Sequence, residues 1–279
     1  MVAPRLPFLL ELFPGTSLLF PRQRHDLRRP APDPGEPSQE CDHRRSLWAR
    51  RRADGPRSPT GRSSHPLALG KEEDSHWPAL YGEWTLKVND LINEKEVAEL
   101  ARQYGPLERR HYLLEMGERT FAHWREQRKD CRGEVALFIL RPSGNVILHA
   151  KDFYPEGVYR VLTGGIGWGE DVVTAVHREA REETGLTVAI KRCLGILEYE
   201  FRYQEKTLPF VSYVFLLREN GGQLCPQDEG ERITSLLEVP LTELEAVAQS
   251  LRAIEADWRD WGHYRAIAHS FAAEVLGVR

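Results

Sequence analysis

Cysteine is scarce in this sequence, and what there is lies scattered. The four cysteines, Cys41, Cys131, Cys193 and Cys225, include no pair at the spacing of a zinc or redox motif. A chain of 279 residues has no need of a disulfide scaffold, so reduced thiols are the expectation. Long apolar runs are missing too. No stretch reaches the roughly 18 residues that would read as a bilayer-crossing helix. Arg5 precedes an apolar patch, but Pro7, Glu11 and Pro14 interrupt it and no small-residue cleavage site follows, so the start does not read as a secretion signal. A cytoplasmic location, away from membranes, is expected. A strong charge of either sign is absent as well. The net charge is -4, with 29% charged and 41% hydrophobic residues, which is ordinary for a globular protein and disfavours nucleic acid as a bulk partner.

The near-neutral average hides a division. Residues 1–70 hold 12 Lys and Arg against 7 Asp and Glu, while the remainder holds 26 against 35. Residues 1–66 also carry 11 of the 18 prolines. Such a stretch buries too little apolar surface to offset the entropy of ordering it, so 1–75 is predicted to be a disordered tail. Aromatics are not interleaved among its arginines as a nucleic-acid stacking platform requires, so the tail reads as a solvated extension.

From Trp77 onward the pattern turns periodic. Asn89 or Asp90 is placed as the cap of a helix carrying Val97, Leu100, Ala101 and Tyr104 at helical spacing, broken by Gly105–Pro106. A second helix is predicted over 107–128, with Leu113, Met116, Thr120 and Trp124 on one side. Residues 77–130 therefore read as a helical hairpin, which either covers the main domain or joins two copies into a homodimer. The main domain, 131–279, begins with a buried strand at Val135–Leu140, turned by Ser143–Gly144 into a second strand at Val146–Ala150. A third strand at Tyr159–Leu162 ends at a glycine cluster, and a helix follows at 170–184. Strands at 194–203, 210–218 and 233–238 precede helices that end near Ala256 and Leu276. Strands interleaved with helices give an α/β (α+β) class with helices layered on a mixed sheet.

The chemistry concentrates in Gly164–Leu186, GGIGWGEDVVTAVHREAREETGL. Glu179, Glu182 and Glu183 stand at i, i+3 and i+4, a stripe about 100° wide on a helix. Val172, Val173, Val176 and Ala180 form the apolar stripe beside it. Arg178 precedes Glu182 by four residues and is placed to orient it. Glu170 falls about 180° from the middle of the acid stripe if the helical count is carried back to it. Three carboxylates so close repel one another unless a cation sits among them, and Mg²⁺, with Mn²⁺ as the alternative, takes such hard oxygens. Gly164 and Gly165 open a loop whose backbone can approach a ligand and which leads into a helix N-terminus that favours anions. Three glutamates alone would equally suit a solvated helix face.

The full segment decides the matter, because it resembles the Nudix box. Gly164, Glu170, Arg178, Glu179, Ala180, Glu182, Glu183, Gly185 and Leu186 occupy its fixed positions, Ala180 being smaller than the usual branched aliphatic. The resemblance implies an α/β/α sandwich that hydrolyses a nucleoside diphosphate linked to another moiety, be it a nucleotide sugar, ADP-ribose, a dinucleoside polyphosphate or an NTP. It further implies that Glu179, Glu182 and Glu183 bind the metal, joined by the Gly164 carbonyl. The general base varies across the family. Glu182 is the first candidate, with Asp228, Glu229 and Glu231 as alternatives. Tyr203 is similar in placement to a tyrosine of dinucleoside polyphosphate hydrolases. It shares a strand face with Tyr199 and Phe201, where it either stacks on a base or fills the core. The alternative function is a non-catalytic nucleotide sensor, disfavoured because every acid of the box is present. Isoprenoid diphosphate isomerisation lacks a suitable Cys and His motif.

Overall fold

A computed structural model describes residues 87–278, so the expectation for 1–75 lies outside the described residues. A seven-stranded mixed sheet forms the centre, in the order β1-β5-β6-β2-β4-β3-β7. The strands are β1 (Glu108–Glu115), β2 (Cys131–Leu140), β3 (Asn145–Lys151), β4 (Arg160–Gly167), β5 (Leu186–Tyr203), β6 (Lys206–Gly222) and β7 (Ile233–Pro240). Five α-helices accompany it: α1 (Glu94–Tyr104), α2 (Glu118–Asp130), α3 (Val172–Thr184), α4 (Leu244–Arg252) and α5 (Arg259–Val275).

Why β2 reads as an unbroken apolar run is clear from its place. It lies between β6 and β4, pairing parallel to the first and antiparallel to the second. Both its faces are covered, a setting that removes the alternation of a half-exposed strand. Val135, Leu137 and Ile139 pack with α1 and α3, whereas Ala136 and Phe138 pack with α2, α4 and α5. The layers are therefore helix, mixed sheet, helix, as the sequence predicted. Among the described residues no helix is long and apolar enough to cross a membrane.

Residues 107–128 differ from expectation. Instead of a second helix, residues 108–115 form β1, paired in parallel with β5 from Glu108↔Gly195 to Glu115↔Arg202. The segment ERRHYLLE alternates in burial, and Tyr112 stacks on Tyr199 with ring centroids 5.8 Å apart. Pairing with the free edge of a long strand satisfies a full ladder of backbone groups, which outweighs a weak helical period. The helical hairpin is thus a helix, an edge strand and a helix. Leu113 faces solvent at 45% exposure, while Met116 and Trp124 are buried. The cap of α1 also moves, to Asn93, whose side chain accepts from the Lys95 and Glu96 amides. Asp90 instead closes a short 3-10 turn by accepting from the Lys87 amide. Of the cysteines expected to be reduced, Cys131 and Cys193 are free, whereas Cys225 is disulfide-bonded.

Trp124 of α2 anchors the second layer. Its ring stands 4.9 Å from Tyr264 of α5 and 5.2 Å from Phe210 of β6, centroid to centroid. Tyr199 and Phe201 join the same aromatic cluster and are almost fully buried.

Candidate active site

The acid-bearing helix α3 is fixed at both ends by its own sequence. Asp171 caps it by accepting from the Thr174 amide at 2.9 Å. Gly185 ends it at φ 74°, a left-handed conformation that glycine adopts without penalty. Val172, Ala175, Val176 and Ala180 are buried against the sheet. The small Ala180 sits at 0% exposure, so the box position that looked undersized is filled.

With that face anchored, the acids turn toward β4. Gly164 runs so close to Glu179 that a Cβ there would lie 1.7 Å from the carboxyl carbon. Arg178 ties the acids together. Its Nη1 donates to Glu179 Oε1 at 2.6 Å and to Glu182 Oε2 at 3.1 Å. Its Nη2 donates to the Gly165 carbonyl at 2.7 Å and to Glu170 Oε2 at 2.9 Å, and its Nε to Glu170 Oε1 at 2.9 Å. Glu170 therefore does not point away from the stripe. It precedes the cap Asp171, outside the helical count, and folds back to accept from both Arg178 and the Gly167 amide.

The three stripe carboxylates occupy different environments. Glu182 is 38% exposed at its side chain, Glu179 6% and Glu183 0%. Burial pushes the Glu179 carboxyl up to about 7, against the pull of Arg178. Burial pushes Glu183 up to about 8, against the pull of Lys151 and Arg160. Neither Glu183 oxygen has a hydrogen-bond partner; Lys151 Nζ stands 3.4 Å and His149 Nδ1 3.6 Å from Oε1. No group of three or more His, Cys, Asp or Glu side chains converges on one point among the described residues. The acids are drawn to the protein's own cations instead.

A cavity of about 410 Å³ opens beside them. Gly164, Gly165 and Glu179 line one side, and Lys151, Glu231 and Arg160 another. Of the three alternative bases, Glu231 lines the cavity, with Lys151 Nζ donating to its Oε2 at 2.6 Å. Asp228 is engaged in its own turn, accepting from the Gly230 amide at 2.7 Å. Sequence reasoning missed Glu134 and Arg265, which also line the cavity. Arg265 Nη1 donates to both Glu134 oxygens, at 2.9 and 2.8 Å, and the Tyr264 hydroxyl adds a bond of 2.7 Å. They lie more than a hundred residues apart, and no local pattern announces such a pair.

Tyr203 is not brought to the cavity. It packs half-buried on Phe121, with ring centroids 5.9 Å apart, and its hydroxyl accepts from Gln204 Nε2 at 3.3 Å. The face it shares with Tyr199 and Phe201 is the one covered by α2 and α5. Tyr203→Ala is therefore expected to leave KM unchanged for every nucleotide cleaved. A rise in KM of about tenfold, the scale of a lost stacking contact, would restore it to substrate binding.

A family model described as "NUDIX domain" matches residues 132–261. An RNA pyrophosphohydrolase of Pelagibacter ubique (strain HTCC1062) is 31% identical over 71 residues, which cover 25% of this chain and 45% of that protein. The chain thus spans less than half the length of that curated relative. Among solved structures, one described for MutT from Aliivibrio salmonicida and Vibrio cholerae is 18% identical with a TM-score of 0.28, covering 41% of this chain and 83% of the other. An ADP-ribose pyrophosphatase from Streptococcus suis is 17% identical with a TM-score of 0.33, covering 51% and 90%. Scores this low do not bear on the reaction.

Proposed function

From the match of a NUDIX-domain family model to residues 132–261, we propose that the chain is a Mg²⁺-dependent hydrolase of the diphosphate linkage in a nucleoside diphosphate joined to another moiety. One observation carries the proposal: Arg178 of α3 holds Glu179 and Glu182 together, and Glu179 lines a cavity with Gly164 and Gly165. The donor set fits a hard divalent cation, since Glu179, Glu182, Glu183 and the Gly164 carbonyl are all oxygen ligands and both Glu183 oxygens are buried without a hydrogen-bond partner. Those four residues would hold Mg²⁺, with Mn²⁺ as the alternative. When bound, the cation supplies Lewis acidity and neutralises charge developing on the phosphoryl group.

The chain's own groups do the rest. Arg178 positions Glu179 and Glu182, restricting their rotamers before substrate arrives. Glu182, the most exposed of the three, is assigned to take the proton from the attacking water, with Glu231 as the alternative base. Water adds to one phosphorus and the other phosphate leaves with the bridging oxygen. The test is purified protein with Mg²⁺ or Mn²⁺ against nucleotide sugars, ADP-ribose, dinucleoside polyphosphates and NTPs. Cleavage of none of them overturns the reading.

Stability should respond to pH through the same acids. Glu179 and Glu183 have folded values raised above 4.5, so the folded state binds more protons than the unfolded one and loses stability as pH rises through them. The buried His149 and His269, both lowered from 6.5, oppose this only at lower pH. Between pH 6.5 and about 8, Tm in EDTA is expected to fall, and saturating Mg²⁺ to flatten the fall. Thermal melts across that window check it. A Tm that rises with pH in EDTA would contradict the assignment.

A further inference from the structure

The charges on the cavity wall pair off, with one exception. Lys151 is held by Glu231 and Glu183, and Arg265 by Glu134. Glu179 is held by Arg178. Arg160, at 4% exposure, makes no ion pair with any carboxylate among the described residues. Its Nε donates to the Tyr154 hydroxyl at 2.8 Å, and its Nη1 to the Val161 carbonyl at 2.8 Å and Thr163 Oγ1 at 2.9 Å. All three partners are neutral. Glu183 lies within electrostatic reach of Arg160 but forms no ion pair with it, its nearest cation being Lys151. A buried guanidinium is costly without a carboxylate bonded to it, so one left in this state on the wall points to an anion that arrives from outside. Arg128 is also buried without an ion pair, but it does not line the cavity.

Position narrows the anion. The bond to Thr163 sets the guanidinium beside the residue that precedes Gly164, whose backbone abuts the Glu179 carboxyl. A phosphate on Arg160 would therefore adjoin the group presented to the acid helix. Aromatic faces surround the same guanidinium. Its central carbon lies 5.4 Å from the Tyr154 ring centroid and 6.0 Å from that of Trp261, and both rings, with Phe153, line the cavity. Phe153 keeps 43% of its surface exposed. Flat apolar walls next to a guanidinium with no ion-paired carboxylate suit a nucleobase joined to a phosphate.

Resting on the hydrolase reading above, we propose that Arg160 and the aromatic wall of Phe153, Tyr154 and Trp261 form the nucleotide subsite, in which Arg160 binds a phosphate of the substrate's diphosphate and the rings take its base. Arg160 is then a specificity residue that favours nucleoside diphosphates over diphosphates without a base.

The test uses the full chain in EDTA, titrated with ADP by calorimetry, so that no cation bridges the phosphates to the acids. Arg160→Gln is expected to weaken ADP binding by about 10- to 100-fold, the scale of a charge-assisted hydrogen bond, and Arg160→Lys to recover part of it. In turnover with Mg²⁺, Arg160→Gln should raise KM by a similar factor and leave kcat within a few-fold. ADP affinity within about twofold of the unmodified protein overturns the proposal. So does loss of folding in both variants, because an arginine without an acidic partner would then be serving the fold. The unmodified protein gives an independent reading. ADP should bind about tenfold or more tighter than adenosine and than inorganic pyrophosphate, and equal affinities would overturn the subsite. If ADP binds through Arg160 while no substrate in the panel is cleaved, the hydrolase reading fails and the subsite stands. If hydrolysis proceeds and Arg160→Gln binds ADP normally, the subsite alone fails.

Discussion

Glu182→Gln should lower kcat on the order of 10²- to 10³-fold while leaving the melting temperature within a few degrees of the unmodified protein. The substitution keeps the size and helix compatibility of the side chain. It removes one negative charge from a stripe of three and shortens no apolar contact, because Glu182 is 38% exposed at its side chain. Losing its interaction with Arg178 at 3.1 Å costs little, since Arg178 keeps Glu179, Glu170 and the Gly165 carbonyl. The loss falls on proton transfer and cation binding. Glu170→Gln is the informative comparison. A helical count makes it nearly silent, but Glu170 accepts three hydrogen bonds, two from Arg178 and one from the Gly167 amide. It should reduce kcat by a smaller factor than Glu182→Gln and lower Tm more. Turnover by Glu182→Gln at the unmodified rate under saturating Mg²⁺ would remove α3 from the chemistry.

Gly164→Ala is expected to be nearly as damaging for a different reason. The added Cβ would stand 1.7 Å from the Glu179 carboxyl carbon and 2.1 Å from its Oε2, so that side chain must leave its place. Moving it breaks the 2.6 Å bond from Arg178 and alters the cavity floor. Overpacking of this kind costs about 1–3 kcal/mol, which lowers Tm by several degrees in a domain of this size. The activity should fall on the order of 10²-fold, because a positioned ligand is displaced rather than deleted. Gly165→Ala is the control. Its Cβ would meet Cys131 Cβ at 3.4 Å, an ordinary contact, and the carbonyl that Arg178 uses is untouched. Equal losses in the two alanine variants would mean that loop flexibility matters, and the close approach to Glu179 does not.

The contrast between Glu170 and Glu182 marks how far the sequence could be read. The acid stripe, its apolar flank and its glycine stop all lie within 23 consecutive residues of one helix and its loop. There, regular geometry converts spacing into position. Glu170 escapes because one residue outside the cap the helical angle no longer applies. Strand β1 was hidden for a related reason. HYLLEM satisfies both a helical and an alternating period, and the deciding partner is β5, more than eighty residues away. The shared face of Tyr199, Phe201 and Tyr203 was legible from alternation, but not that α2 and α5 would cover it. Glu134, Arg160 and Arg265 reach the cavity from three elements, and their pairing, or its lack, exists only in three dimensions.

The cavity's dependence on α5 ties local opening of that helix to the state of the site. Trp261 and Arg265 of α5 stand in the wall, while His269, one turn further on, accepts the Val161 amide of β4 at 3.1 Å. Val161 immediately follows Arg160, so the backbone beneath that guanidinium is clamped by a side chain of the helix. If α5 lifts, the wall is dismantled and the Val161 amide is released to solvent in the same event. Hydrogen exchange at this single position on the opposite element therefore times how often the cavity comes apart.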